Sequence, residues 1–362
     1  MRRRRLIKSA ALFGAGTAFA ACAKPSPTGS APTEAAASGS ASSGGKLVAA
    51  TFGGTWSEVH RDVLLPYYKE RSGAEADQTV LLATEQISML TAAKGGQPPL
   101  DVLMMDEGPA LQAIEQGFVE AYDAAKSPNY GELLPEFQDK WGPSVSMQCI
   151  GIAYNPERIK TVPTSWEDLW NPEYAGKVGI TSLASTLGTA FLVDLARVNG
   201  GSETNIEPAF EKLKELIPNL GAVSANFGAH AALFSEGIVD IGVNNFNFVQ
   251  TLKAKGIPLE FVKLETGLPS WRTTMHVAKG TQVPDLAYEY IDSHLAAQVQ
   301  SEMEESPYYV IPTNGTVPLK GLVAEQVAAT HEDLQKLVFF DWAAINQSRN
   351  EWSQRFNEEI RV

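Results

Sequence analysis

Two neighbouring carboxylates, Asp106 and Glu107, follow the apolar run DVLMM (101–105) and precede Gly108-Pro109. An acid pair at such a junction has three uses: general acid–base chemistry, support of a helix dipole, or a charge-assisted hydrogen bond to a ligand ammonium or hydroxyl. If Pro109 takes the first helical position, Gly108 is the cap, and the acids lie one and two residues before it, where dipole support is weak. Acid–base chemistry needs partner groups, and the motifs that announce them are missing. The chain has no phosphate-binding G-x-x-x-x-G-K-[ST], no H-E-x-x-H, no G-x-S-x-G and no paired C-x-x-C. Its five histidines, at 60, 230, 276, 294 and 331, show no metal-ligand spacing. Ligand recognition is the use that stays, with Asp106 ahead of Glu107.

In open α/β sheets ligands bind beyond the carboxyl ends of the strands, so the other strand ends supply the remaining candidates. FGGTW (52–56) offers Gly54 and Thr55, where the backbone can approach a ligand closely, and Trp56 as a flat wall; the alternative is a Trp56 packed in the core. TSLASTLGTAF (181–191) opens a helix with Ser185 and Thr186, which suits a carboxylate oxygen or other anion, or plain N-capping. VNNFNF (243–248) supplies the amides of Asn244 and Asn245. Trp271 can stack on a ligand, and Arg272 can neutralise a carboxylate or pair with one of the chain's 42 acids. The pair Tyr308-Tyr309 raises phenolate ligation of ferric iron, although Pro307 and Pro312 around it favour a packed loop.

These residues need strands and helices to hold them. LVAATF (47–52), TVLLA (79–83) and DVLMM read as strands, each followed by a helical pattern, the third helix running from Pro109 to about Gly117. Pro66 is expected to kink or bound the first helix. Three strand-then-helix units predict a parallel sheet covered on both faces. The pattern repeats in GKVGITS (176–182) and VDIGVNN (239–245), with helices at 186–198, 205–217 and 226–236, so a second α/β lobe is expected. VSMQCIGIAYN (145–155) and SWRTTMHVA (270–278) read as two hinge crossings between the lobes. The expected fold is therefore α/β, with two lobes of parallel-rich sheets. Lobe 1 covers 46–148, completed by about 273–315; lobe 2 covers 149–272, with C-terminal helices from about 316 to 362 docking on it. In the last helix Trp342, Ile345, Trp352, Phe356 and Ile360 share a face.

The first 22 residues have the layout of an export signal: a cationic start, a short weakly apolar stretch, then small residues up to Cys22. Arg3-Arg4-Arg5-Leu6-Ile7-Lys8 resembles the twin-arginine signal. Phe19-Ala20-Ala21-Cys22 resembles a lipobox, whose cysteine is lipidated; cleavage after Ala18-Phe19-Ala20, releasing a soluble protein, is the alternative. Residues 23–45, rich in Ala, Ser, Gly, Pro and Thr, are expected to behave as a flexible tether, which suits an anchored protein. Loss of residues 1–21 leaves 24 Lys+Arg against 42 Asp+Glu, a net charge of −18, which argues against nucleic acid or an anionic membrane as partner. Cys149 reads as a buried, inert thiol.

TFGGTWSEVHRDVLLPYYKERSG, DVLMMDEGPA, PTSWEDLWNPEYAGKVGI, IGVNNFNFVQTLKAKGIPLEF and FDWAAINQSRNEWSQRFNEEI together resemble the extracellular solute-binding proteins of bacterial ABC importers, in the branch of the spermidine/putrescine receptors. The resemblance spans Lys46 to the C-terminus. It implies a type II periplasmic-binding-protein fold whose lobes close over a small-molecule solute, with no cofactor, no metal and no reaction. It also implies a monomer serving a membrane permease with a separate ATPase, in the periplasm or on the outer face of the cell envelope. Polyamine receptors of this kind place an aspartate two positions after the tryptophan that Trp271 matches. Thr273 stands there instead, beside Arg272, so one ammonium site of that pattern is missing. The expected solute is amine-bearing, a polyamine or a zwitterion. A ferric-iron receptor of the same fold and a secreted α/β hydrolase are the alternatives.

Overall fold

The structure, a computed structural model, describes residues 46–361. The export signal, Cys22 and the tether lie outside the described residues. Nine strands are present among them: β1 (Leu47–Thr51), β2 (Ala76–Val80), β3 (Val102–Asp106), β4 (Ser144–Tyr154), β5 (Val178–Thr181), β6 (Leu220–Ser224), β7 (Ile241–Asn245), β8 (Glu260–Val262) and β9 (Ser270–Val277). They run in the order β2-β1-β3-β9-β4-β7-β5-β6, with β8 on β4.

Both ends of this path are parallel, β1 pairing with β2 and β3, and β5 with β6 and β7. The two strands in its middle, β9 and β4, run antiparallel to their neighbours. β4 serves two sheets in turn. Ser144–Cys149 pairs with β9, and Ile150–Tyr154 pairs with β7. One continuous strand therefore passes from the first lobe to the second, and the two-lobed α/β fold expected from the strand–helix pattern is the fold found. β3, β5 and β7 are buried along their whole length, as strands covered on both faces are.

Local departures from the expected elements have identifiable causes. β2 lies three residues earlier than the apolar run TVLLA, because Leu81-Leu82 lead into the helix Ala83–Ala92, where Glu85 accepts the Leu82 N–H at 2.6 Å. As an outer strand it is half exposed, so it carries no apolar run to read. β6, the other outer strand, escapes sequence inspection for the same reason. At Pro66 the helix is neither broken nor sharply ended: a π-helical turn, His60–Leu64, links Thr55–Val59 to Leu65–Ser72. The wider turn accommodates a residue that cannot donate to the helical ladder.

The helix after β3 begins at Glu107, with Asp106 in the N-cap position, so Pro109 is its third residue and not its first. β3 stays in register with β9 as far as Asp106↔Thr273, and the helix starts without a loop. Gly108 has a packing role there. A Cβ on it would lie 2.6 Å from Trp342 Cε3, and its carbonyl accepts from Asn346 Nδ2 at 2.7 Å. The C-terminal helix Trp342–Glu359 thus packs at its start on the first lobe. Towards its end it meets the second, where Arg355 lies 4.0 Å from the Phe210 ring and Lys214 pairs with Glu359 at 3.0 Å.

Candidate functional site

Alternation along the middle strands sorts the candidate residues. Trp271 and Thr273 point to one face of β9, and their cross-strand partners, Gln148 on β4 and Asp106 on β3, point the same way. Two residues beyond Gln148, Ile150 pairs with Asn245 of β7, which brings Asn245 to this face as well. The contacts agree with the register: Asn245 Nδ2 donates to Gln148 Oε1 at 2.8 Å, and Thr273 Oγ1 donates to Asp106 Oδ1 at 3.1 Å. The threonine in the place of the polyamine pattern's aspartate is therefore a donor to Asp106.

Asp106 is only 3% exposed. Burial pushes its carboxyl up to about 6; donors on Thr186, Trp271 and Thr273 and the charge of Arg349 oppose the rise. Trp271 Nε1 comes close enough to favour the ionised form, yet makes no hydrogen bond of normal geometry. Asp106 lies in a space between the lobes, faced by Phe52, Thr84 and Pro109 from the first lobe and by Ser185, Thr186 and Phe227 from the second. That space is narrow, about 10 Å³, room for about one water molecule. The lobes are closed on one another here. Thr55 Oγ1 donates to Thr251 Oγ1 at 3.0 Å, and Lys255 pairs with Glu58 at 2.7 Å.

Not every candidate joins this set. Glu107 and Arg272 lie on the opposite face, because each is one residue along its chain from a cleft residue. They pair with each other, Arg272 donating from its backbone N at 2.9 Å and from Nη1 at 2.6 Å to the two oxygens of Glu107, while its Nε has no partner. Both line an outer groove of about 460 Å³ with Trp141, His276 and Trp342. Asn244 also alternates away from Asn245, and its Oδ1 accepts the Asn245 N–H at 2.8 Å. Trp56 is buried within the first lobe, its ring 5.6 Å from that of His60 and 6.3 Å from that of His294. Gly54 and Thr55 serve lobe-to-lobe contact: Gly54 has φ 70°, and a Cβ on it would stand 2.6 Å from Phe248 Cε1. Ser185 caps its helix, accepting the Gly188 N–H at 3.2 Å and bonding Thr181 Oγ1 at 3.0 Å.

Two residues at the site went unnoticed in the sequence. Gln148 hides in an apolar strand, where alternation from Trp271 is invisible until the register is known. Arg349 is 4% exposed on the C-terminal helix and donates Nη2 to the carbonyls of Leu183 at 3.1 Å and Ala184 at 3.4 Å, just before Ser185. A signal for it existed. The buried stripe is Trp342, Ile345, Arg349, Trp352 and Phe356, and the apolar face read from sequence skips the position that Arg349 fills.

The hydrolase and iron alternatives gain nothing from this geometry. Ser224 and His230 do bond at 2.9 Å, but both are buried outside the cleft, and His230 Nε2 lies 2.8 Å from the carbonyl of Val243, not from a carboxylate. Tyr308 donates to Asp62 at 2.8 Å. Among the described residues no group of three or more His, Cys, Asp and Glu is arranged to hold a metal, and no helix is long and apolar enough to cross a membrane. Cys149 is buried and free, its thiol pushed up to about 12 by burial.

Comparison with known proteins places this geometry in a family. The sequence pattern of the bacterial extracellular solute-binding protein family matches residues 97–348. The spermidine/putrescine-binding periplasmic protein of Salmonella typhimurium is 27% identical over 250 residues, covering 63% of this chain and 68% of that protein. The gamma-aminobutyric acid-binding protein of Pseudomonas aeruginosa is 24% identical over 327 residues, covering 86% of this chain and 90% of its own length. The periplasmic binding protein AfuA of Actinobacillus pleuropneumoniae, solved with fructose-6-phosphate, has a TM-score of 0.72 at 23% identity, over 88% of this chain and 99% of that one. The chain belongs to the bacterial extracellular solute-binding proteins, in the branch similar to spermidine/putrescine receptors, and captures a small solute for the permease of an ABC importer.

Proposed function

We propose that the captured solute carries an amine, and that Asp106 receives its ammonium group in the cleft between the lobes. The observation that carries this reading is a carboxylate 3% exposed at the carboxyl end of a central strand, facing both lobes. A buried carboxylate is costly unless a cation or several donors meet it. An ammonium group meets that need. The names of two relatives, one binding spermidine and putrescine and one binding gamma-aminobutyric acid, support an amine as the shared feature.

The solute enters with the lobes apart, and closure then buries it against both. Selectivity lies in the difference in affinity between open and closed states. The protein releases the solute chemically unchanged, acts as a monomer in the periplasm or on the outer face of the envelope, and is held there by a lipid on Cys22. Its ATPase is a separate chain.

A thermal-shift screen of amines and amino acids identifies binders without assuming a site, because a bound ligand raises the melting temperature. Calorimetry on Asp106→Asn with the best binder then tests the assignment. Affinity is expected to fall roughly 100-fold, as when one partner of a buried charge pair is removed. An unchanged affinity would take Asp106 out of the site.

A further inference from the structure

Resting on the reading of Asp106 as the amine site, we infer that Arg349 forms an anion site beside it, so that the solute is a short zwitterion carrying an ammonium and a carboxylate, not a polyamine. Arg349 occupies a position in the buried stripe of the C-terminal helix where its neighbours are Ile345 and Trp352. A guanidinium there needs partners for every arm. The carbonyls of Leu183 and Ala184 take Nη2, while Nη1 has none. Asp106 acts on it as a nearby opposite charge without bonding it. An anion seated between Arg349 and the amine-binding carboxylate completes the guanidinium.

The rest of the cleft face points the same way. Trp271 Nε1 and Gln148 Nε2 are buried donors without partners, against one fully buried unpartnered acceptor, Asn245 Oδ1, besides the Asp106 carboxylate. A polyamine brings only donors and cations. It satisfies Asp106 and Asn245, leaves three donors bare, and sets a second positive charge near Arg349. A carboxylate on the same solute supplies acceptors to those donors and a counter-charge to the guanidinium. Thr273, a donor to Asp106, leaves Asp106 as the single carboxylate on this face of β3 and β9. Arg349 bonds the carbonyl of Ala184, a residue that lines the same narrow space as Asp106, so the two charges of the solute are close together and a short chain spans them.

The test is calorimetry on the full chain with matched series of three to five carbons: ω-amino acids, their amides, the corresponding diamines and the amine-free carboxylates, with the α-amino acids alongside. The expected result is an amino acid that binds at least about tenfold more tightly than its amide and the matching diamine. In Arg349→Gln the preference for acid over amide is expected to fall to within about threefold, while Arg349→Lys keeps part of it. A diamine that binds more tightly than every amino acid overturns the anion site and leaves the amine reading standing. A carboxylate without an amine that binds as well as the amino acid overturns the zwitterion and the amine reading, leaving Arg349 in place. No binding by any member overturns both. If Arg349→Gln fails to fold, by its circular-dichroism melt, the preference of the wild type among acid, amide and diamine decides alone.

Discussion

On one face of β9, Trp271 and Thr273 meet Asp106, which has no cation bonded to it; on the other, Glu107 is met by the backbone N and the guanidinium of Arg272, although Arg272 Nε keeps no partner. The residue types are nearly the same, an acid from the β3–helix junction facing β9, yet the outcomes differ. The outer pair is a structural tie, bidentate and partly exposed, with the guanidinium also 4.9 Å from the Phe339 ring. The inner group is buried, incompletely bonded and held between two lobes. A pair of opposite charges in contact has little net charge left to offer a ligand, whereas a buried carboxylate with no cation bonded to it still has its charge to be met.

The sharpest way to break this comparison is to titrate the inner acid. With its carboxyl near 6, Asp106 loses its charge as pH falls through that value, so affinity for an ammonium solute is expected to drop about tenfold per pH unit below it. Calorimetry between pH 4.5 and 8 reads this, and a flat profile would argue that another group holds the amine. The same shift has a stability consequence of known sign. A carboxyl raised from 3.8 in the unfolded chain to about 6 in the fold opposes folding while ionised, by up to about 3 kcal/mol above pH 6. That penalty disappears as pH falls from about 6 to below 3.8. Asp106→Asn is therefore expected to melt higher than wild type at pH 7.5 in the absence of solute, with the gap closing in acid.

A smaller effect belongs to the indole. Trp271→Phe keeps most of the packing and removes the N–H beside Asp106, so solute affinity should weaken by about fivefold, near the worth of one hydrogen bond. No change would mean that the indole contributes only shape. The smallest effect on binding is expected on the outer face. Arg272→Met or Glu107→Gln should lower stability by about 1 kcal/mol, as for other partly exposed pairs, while affinity stays within about twofold. A tenfold loss of affinity in either variant would mean that the two faces are not separate.

Much of the scaffold was legible in the chain because it rests on local periodicity. The helix Thr186–Val198 has the limits its apolar pattern suggested, and the long extended segments at 145–155 and 270–278 are β4 and β9. The outer strands β2 and β6 were misplaced or missed because half-exposed strands lack an apolar run. Candidate residues were harder to sort. Asp106 and Glu107, adjacent in sequence, both read as ligand-binding acids, Asp106 ahead of Glu107, and Trp271 and Arg272 both read as ligand-facing, one by stacking and one by charge. In an extended chain, neighbours point to opposite sides, so each pair was bound to be divided once the site took one face.

The sequence by itself determined the two-lobed α/β plan, the placement of an acid at the end of a central strand and a net negative charge, since each follows from composition or from periods of two and 3.6 residues. Only the tertiary structure decided which side chains share the cleft. That depended on register between segments far apart in the chain: Thr273 opposite Asp106 across 167 positions, and Arg349 against Leu183 across 166. No local pattern encodes such distances. They are set when the lobes and the C-terminal helix pack, and with them whether a charge finds its partner inside the protein or must find it in a ligand.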